Sequence, residues 1–399
     1  VRSIAIKSVP RYPNDRGGPA QNYASPQCEP VSAAPGHVSC IDDGVQGELE
    51  MKLGTIQHLR AVAALGVVFY HASSQVNGGH SDYVRMGAAG VDLFFVISGF
   101  IMWVTAIARD EAPGRFALKR IIRIVPLYWL MTTAVILIVL AKPDLMRSAS
   151  LNLAHIASSY GFIAWPHPRS AHRFWPLVIP GWTLNYEMLF YAIVTAALFL
   201  PRLARLPVIA ATLGLLAALG ALLNPQTVLA FYTDPILLEF ALGMGIGAIF
   251  TGGVSLPRAL AYAATCSALI LFLLVGPFGT DENRLLTWGI PMALLVLGAV
   301  NVPKILPERP FRLLGDASYS LYLTQFCVIG PCARALAPLA SPNTSFAFIA
   351  ALIVVACAVG VATYLLVEAP LTSALRGLLE KRSSQCTSPS ASGIAVTRN

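Results

Sequence analysis

The sequence predicts an all-α, polytopic membrane protein with about ten transmembrane helices, and three observations carry that reading. Of 399 residues, 56% are hydrophobic and 12% are charged, against roughly a quarter charged in an ordinary soluble domain. Uninterrupted apolar stretches of about 20 residues recur along most of the chain, each long enough to cross ~30 Å of hydrocarbon. Lysine and arginine gather in alternate intervening segments, as they do where basic loops are retained in the cytoplasm.

Helices are expected near 56–75, 87–108, 120–141, 178–200, 207–223, 229–251, 259–276, 283–301, 317–338 and 345–367. The segments beginning at 207 and 259 are almost purely Ala, Leu, Ile and Val and read as lipid-facing scaffold. Those near 56, 87, 120, 178 and 317 carry nearly all the polar residues. Residues 1–50 are rich in Pro, Gly, Ser and Asn, lack the apolar core of a signal peptide, and read as a disordered extension. Met51 stands directly before Lys52 and the first helix, so two readings remain: an untranslated upstream extension or a genuine cytoplasmic tail. Residues 51–371 form the membrane domain, and 372–399 read as a basic, disordered cytoplasmic tail.

Basic clusters at Arg109, Arg115, Lys119, Arg120 and Arg123, at Arg202 and Arg205, and at Lys304, Arg309 and Arg312 mark the cytoplasmic loops. The loops at 224–234 and 277–283 hold Asp or Glu and no basic residue. Both termini are therefore expected in the cytoplasm. The 142–177 segment departs from the pattern with Lys142, Arg147, Arg169 and Arg173, and its length weakens the charge rule there. Its His155, His167 and His172 fit no helical pair and read as solvated surface residues. The formal charge of +8 resides in these short clusters and in no basic helix, which points to membrane lipid and excludes nucleic acid as a partner. Seven cysteines, Cys28, Cys40, Cys266, Cys327, Cys332, Cys357 and Cys386, form no CxxC pair and no Cys/His spacing, so neither a disulfide framework nor a metal site is expected.

An ionisable side chain at mid-bilayer costs roughly 2.5–3.5 kcal/mol on insertion scales, so each needs a partner or a function. In the first helix Arg60 and His71 lie eleven residues apart. That is close to three turns, which places them on one face roughly 16 Å apart along the axis. Asp92 in the second helix and Glu187 in the fourth are expected at the depth of His71, where either carboxylate would orient the imidazole and raise its basicity. Arg120 and Arg123, three apart, share a face of the third helix. Their guanidinium forks suit phosphates, and snorkelling to lipid headgroups is the competing reading. Trp182, Tyr319, Tyr322 and Gln325 are candidate cavity lining, with the two tyrosines equally readable as interfacial belt residues. Gly243, Gly245 and Gly247 fall inside a helix and read as close-packing positions.

In order along the chain stand Arg60-x10-His71, the Gly90 to Phe100 block, Arg120-x-x-Arg123, the Trp182 to Glu187 block, Ser318-Tyr319-Ser320-Leu321-Tyr322-Leu323 and Val367-Glu368-Ala369-Pro370. In these motifs the chain resembles the membrane acyltransferase 3 family, especially its exopolysaccharide-acetylating branch, from about Met51 to Leu371. The resemblance implies a ten-helix bacterial inner-membrane protein that moves acetyl or a related acyl group from cytoplasmic acyl-CoA to a sugar hydroxyl outside. Acetyl-CoA or another acyl-CoA would be co-substrate, with no bound cofactor. The acceptor would be a polysaccharide or lipid-linked glycan, with polysaccharide biosynthesis machinery as a further partner. It also implies that Arg60 and His71 are the donor-binding and catalytic pair and that Arg120 and Arg123 form a second functional pair. One departure stands out: family members often carry His after the Tyr-Leu of the ninth helix, where this chain has Thr324-Gln325.

With His71 as base, Asp92 or Glu187 as its orienting group and Arg60, Arg120 and Arg123 on the donor, the expected chemistry is hydroxyl attack on a thioester. The lack of a GxSxG elbow favours direct transfer, with an acyl-histidine intermediate as the alternative. A transporter or flippase of a polyprenyl-linked glycan is the competing class. It calls for paired broken helices in internal repeats, and the sequence shows no such repeat.

Overall fold

Apolar length sets the elements, and a computed structural model describes residues 43–77, 81–146, 149–170, 173–254, 256–302, 307–336 and 345–386. The helices are α1 (Asp43–Asn77), α2 (Gly90–Met102), α3 (Pro113–Ala141), the short α4 (Leu153–Tyr160), α5 (Trp182–Ala197), α6 (Arg202–Leu223) and α7 (Leu238–Thr251). They continue with α8 (Arg258–Val275), α9 (Ile290–Ala299), α10 (Glu308–Asp316), α11 (Ser318–Leu336), α12 (Ser345–Thr363) and α13 (Ala369–Cys386). No strand occurs among the described residues.

Each expected helical segment is helical over most of its length, and six of the ten expected crossings meet the length and apolarity of a membrane span. Among the described residues, six stretches are long and apolar enough to cross a membrane: Asp82–Ile107, Pro113–Ala141, Arg202–Leu223, Val228–Thr251, Arg258–Phe278 and Ser345–Leu379. The other four expected spans are short or polar. The Leu285–Ala299 stretch and the 16-residue α5 fall short in length. α1 and α11 are long enough but are interrupted by Arg60 and His71, and by Ser318, Ser320, Thr324 and Gln325. Three of these four, α1, α5 and α11, contribute walls to a polar cavity, which accounts for the polar residues that interrupt α1 and α11.

Burial separates scaffold from centre. Only 17% of the apolar window is buried in α6 and in α8, against 72% for Asp82–Ile107. The first two therefore face lipid, as their composition suggests, and α2 is the central helix. α2 and α7 cross where a Cβ on Gly99 would stand 2.1 Å from the Phe240 carbonyl and one on Gly243 2.0 Å from the Val96 carbonyl. Neither position has room for a side chain, so the two backbones touch, which is how helices associate in a solvent as apolar as their own side chains. Gly247 packs against the Trp103 side chain, whereas Gly245 faces open space.

The boundaries of the expected tails shift. α1 begins at Asp43, inside the segment read as a disordered extension, and residues 1–42 lie outside the described residues. α13 continues the chain as helix to Cys386, into the segment read as a disordered tail. The 142–177 segment is also more ordered than its loop reading. Asn152 caps α4 by accepting from the Ala154 and His155 amides. His155 is fully buried and donates from Nε2 to the Trp175 carbonyl at 2.8 Å. His167 is buried against both His155 and Trp175. These two histidines are internal ties of a folded loop and not solvated residues. His172 lies outside the described residues.

Arg205, read as a topology signal, is 5% exposed and works as a latch. It donates to the carbonyls of Ile107, Leu198 and Leu200 and to Asp110 Oδ1 at 2.5 Å. It thereby joins the end of α5, the start of α6 and the turn after α2. Asp110 adopts a left-handed φ of 56° to meet it. The Arg205 hydrogen bond, with Arg202 nearby, holds the Asp110 carboxyl below its ordinary range. A depressed carboxylate contributes stability above the unfolded value of about 4 and loses it as pH falls through the folded value. The melting temperature of the purified protein should therefore fall between pH 6 and pH 3 by a smaller margin in Asp110→Asn than in wild type, as read by a thermal shift in detergent.

Candidate active site

α1, α2, α3, α5 and α11 enclose a cavity of about 170 Å³. One part of its wall is apolar, with Phe94, Phe95 and Ile101 of the central helix. The other part gathers Arg60, Arg120, Arg123 and Glu187, with Ser98, Tyr191, Tyr319 and Tyr322 between them. The three arginines expected to bind the donor thus converge from α1 and α3. Tyr319 and Tyr322 are cavity lining and not belt residues. The Tyr319 hydroxyl donates to the Ile124 carbonyl at 2.7 Å, and that of Tyr322 to the Pro180 carbonyl at 3.1 Å, so the two fasten α11 to α3 and to the start of α5.

The three guanidiniums differ in what neutralises them. Arg123 is ion-paired with Glu368, stacks over Tyr319 at 5.5 Å and is partly exposed. The other Glu368 oxygen accepts from Ser320 at 2.5 Å, and Glu368 itself is 1% exposed. Arg120 lies over the rings of Phe116 and Tyr191, at 5.5 and 5.9 Å, with its Nε unpartnered. Arg60 donates to Gln57 Oε1 at 3.3 Å. Neither Arg60 nor Arg120 has a carboxylate within ion-pair distance among the described residues. Two guanidinium forks facing one cavity with no carboxylate at ion-pair distance among the described residues, and Glu187 as the one acid in its wall, make it receptive to an anion.

The expected carboxylate partners of His71 are engaged elsewhere. Asp92 is fully buried, and Arg284 takes both of its oxygens, Nε to Oδ1 at 2.7 Å and Nη2 to Oδ2 at 2.8 Å. Glu187 accepts from Tyr191 and, at 3.4 Å, from Ser98, and it shares the cavity with the arginines. Matching depth along an axis does not fix the direction in which a helix presents a side chain, and here it separates both acids from the imidazole. Trp182 likewise turns away from the cavity, covering Arg284 with its ring at 5.7 Å.

His71 is oriented by backbone. Its Nδ1 lies 3.0 Å from the Val67 carbonyl one turn earlier. A carbonyl only accepts, so Nδ1 carries the proton and Nε2 keeps its lone pair, the tautomer a general base requires. Gln325 is the polar neighbour of the ring. Its amide nitrogen donates to the Tyr322 carbonyl at 3.1 Å and its oxygen is buried without a partner. Neither His71 nor Gln325 lines the arginine cavity; Phe94 and Tyr322, whose rings meet edge to face at 6.1 Å, do, and Gln325 follows Tyr322 by three residues on α11.

Sequence reasoning passed over Arg284, Glu239 and Glu368 as site residues. Glu239 is buried with both carboxylate oxygens unpartnered, beside Asp92 and Arg284. A lone acid in an apolar helix was the signal available for Glu239. Glu368 lies inside the Val367–Pro370 motif, and Arg284 adjoins the 277–283 loop, which holds no basic residue.

An all-helical, multi-pass membrane protein with an anion-receptive cavity and an imidazole held in its basic tautomer has the layout of a membrane transferase. The comparisons give the family: the chain belongs to the acyltransferase 3 family, whose Acyltransferase domain model matches residues 53–365. It is 38% identical over 310 residues to the exopolysaccharide production protein ExoZ of Rhizobium meliloti (strain 1021), covering 76% of this chain and 94% of that one. It is 28% identical to the putative membrane-bound transacylase BcsY of Komagataeibacter xylinus, over 67% of this chain and 70% of that one. It is 24% identical to the peptidoglycan O-acetyltransferase OatA of Listeria monocytogenes, over 69% of this chain and 49% of that one. No solved structure matches.

The Arg284 cluster supplies a stability test. Removing one partner of a buried ion pair costs ~3–5 kcal/mol, because the other charge is stranded. Arg284→Gln strands Asp92 beside Glu239, whereas Asp92→Asn leaves Glu239 to face the arginine. Thermal unfolding in detergent should therefore show Arg284→Gln as the more damaging change, with Glu239→Gln restoring part of the loss.

Proposed function

We propose that this protein is a membrane O-acyltransferase that moves an acetyl or related acyl group from cytoplasmic acyl-CoA to a hydroxyl of an extracytoplasmic or lipid-linked polysaccharide sugar. It would act in the bacterial inner membrane with both termini cytoplasmic. The observation that carries this reading is the axial order along α1: Arg60, with no ion pair among the described residues, in the anion-receptive cavity, and a base-competent His71 three turns further on. Membership of the acyltransferase 3 family and the likeness to the peptidoglycan O-acetyltransferase OatA support the same reaction class, and the likeness to the exopolysaccharide production protein ExoZ supports a polysaccharide acceptor.

On this reading the donor enters from the arginine side, with its phosphates drawn to Arg120, Arg123 and Arg60 and its uncharged arm running past Phe94 and Tyr322. His71 Nε2 takes the proton of the acceptor hydroxyl, and the oxygen attacks the thioester carbon. The C–S bond then breaks, and the departing thiolate takes up a proton as free coenzyme. Glu187, tied to Tyr191 and Ser98, tempers the positive field around the arginines and does not touch the imidazole. The acceptor is uncharged at its reacting hydroxyl and needs no cation, which suits the His71 end.

A positioned base contributes typically ~10²–10⁴-fold. With purified protein in proteoliposomes, acetyl-CoA and an oligosaccharide acceptor, His71→Ala should lose transfer by about that factor while its melting temperature stays near wild type. Full transfer by His71→Ala would overturn the assignment. Proton NMR of surface polysaccharide from a deletion strain should show the acyl resonances gone and the glycan still exported. Unchanged acylation in every glycan fraction would instead favour transport.

A further inference from the structure

A second cavity, of about 420 Å³, opens beside the first and is lined by Arg123, Tyr364, Thr372, Ser373, Arg376 and the backbone at Ala369 and Gly377. Arg123 lines both spaces, so they abut at one guanidinium. The second space exists because α13 is helical where the sequence suggested a disordered tail. Spaced three and four apart, Ser373 and Thr372 share the face of Arg376. The Thr372 hydroxyl is turned back to the Glu368 carbonyl, which leaves Ser373 and Arg376 as the outward donors. Arg376 forms no ion pair among the described residues. At Gly377 nothing would meet a Cβ within 4 Å, so a ligand can approach the backbone there.

We propose that this vestibule is a phosphate-docking site, with Arg376 and Ser373 on one side and Arg123 on the other, and that it receives the diphosphate of the acyl donor before the thioester arm enters the central cavity. This deepens the proposed function and rests on acyl-CoA being the donor. Two guanidiniums flanking one space suit a group with two adjacent anionic phosphates. A lipid headgroup carries the same chemistry, but its acyl chains must run outward into the bilayer. Here the vestibule shares Arg123 with the central cavity, the adjacency that a soluble donor with an uncharged arm requires.

The test uses the full chain in neutral phosphatidylcholine nanodiscs, with Arg376→Gln, Arg376→Lys and, as a control for general surface charge, Arg258→Gln on the lipid-facing α8. Calorimetry with inorganic pyrophosphate and with coenzyme A should show binding weakened about tenfold by Arg376→Gln, largely restored in Arg376→Lys and untouched in Arg258→Gln. The KM for acetyl-CoA should rise by a similar factor with kcat little changed. The KM for S-acetyl-pantetheine, which has no phosphate, should be the same in wild type and Arg376→Gln. Because Arg376 is exposed, folding is not at issue, and an unchanged melting temperature verifies that. If Arg376→Gln leaves pyrophosphate and coenzyme A binding intact and instead abolishes co-purification of phosphatidylglycerol, the vestibule is a lipid site and the proposal is overturned. If wild type turns over no acyl-CoA yet binds pyrophosphate through Arg376, the docking site stands and the donor assignment falls.

Discussion

The Arg123–Glu368 ion pair joins residues 245 positions apart, and the site is assembled around it. Glu368 closes the irregular turn Tyr364–Glu368 that links α12 to α13. Its second oxygen holds Ser320, and the Arg123 guanidinium rests on Tyr319, so α3, α11 and the α13 junction meet at one point. A buried carboxylate without a partner would cost several kcal/mol in so apolar a surrounding, which penalises any packing that separates these helices. The same contact lets Arg123 stand in the wall between the central cavity and the vestibule. Local widening of a helix at such a turn is a common way to aim a side chain at a functional position, and here it brings Glu368 inward.

The elements were largely legible in the sequence, and the reason is the solvent. A bilayer demands long apolar stretches, so helices such as α6 and α8 announce themselves by length and composition alone. Their small buried fraction agrees with the scaffold reading. Crossings were less legible, because α1 and α11 give up apolarity to carry the polar wall and α5 is short. That Arg120 and Arg123 face one cavity was also legible, since spacing along one helix decides which side chains share a face, whereas Tyr319 and Tyr322 were equally readable as belt residues until the cavity showed them as lining. The helical extent of α13 was not, since a basic, polar run after an apolar span reads the same whether it folds or not.

Pairings across helices were the hidden part. Asp92 and Glu187 were placed by depth, a coordinate that the sequence gives to within about a turn. The missing coordinate is rotation about the helix axis, which depends on the backbone contact of α2 with α7 through Gly99 and Gly243. That contact turns Asp92 to Arg284 and Glu239, away from α1. His71 then takes its orientation from Val67, a group no sequence inspection distinguishes from any other carbonyl. Nor does the imidazole require a carboxylate, because the backbone bond alone fixes which nitrogen keeps its lone pair.

Paired and unpaired guanidiniums divide the labour. Arg205, Arg284 and Arg123 are matched to Asp110, Asp92 and Glu368, and each matching ties elements together. Arg60, Arg120 and Arg376 have no carboxylate at ion-pair distance among the described residues, and all three line the two adjoining cavities. Keeping a cation unmatched in an apolar setting is unfavourable unless water or an incoming anion reaches it. The cavities supply that access, and their arginines outnumber the carboxylates Glu187 and Glu368, so the balance is a charge a ligand would bring. Around His71 the neighbours are Tyr70 and Gln325, both uncharged. On the proposed reading this charge distribution assigns the two substrates to opposite ends. The anionic donor is held where guanidiniums are free, and the neutral hydroxyl is activated where none competes for the base.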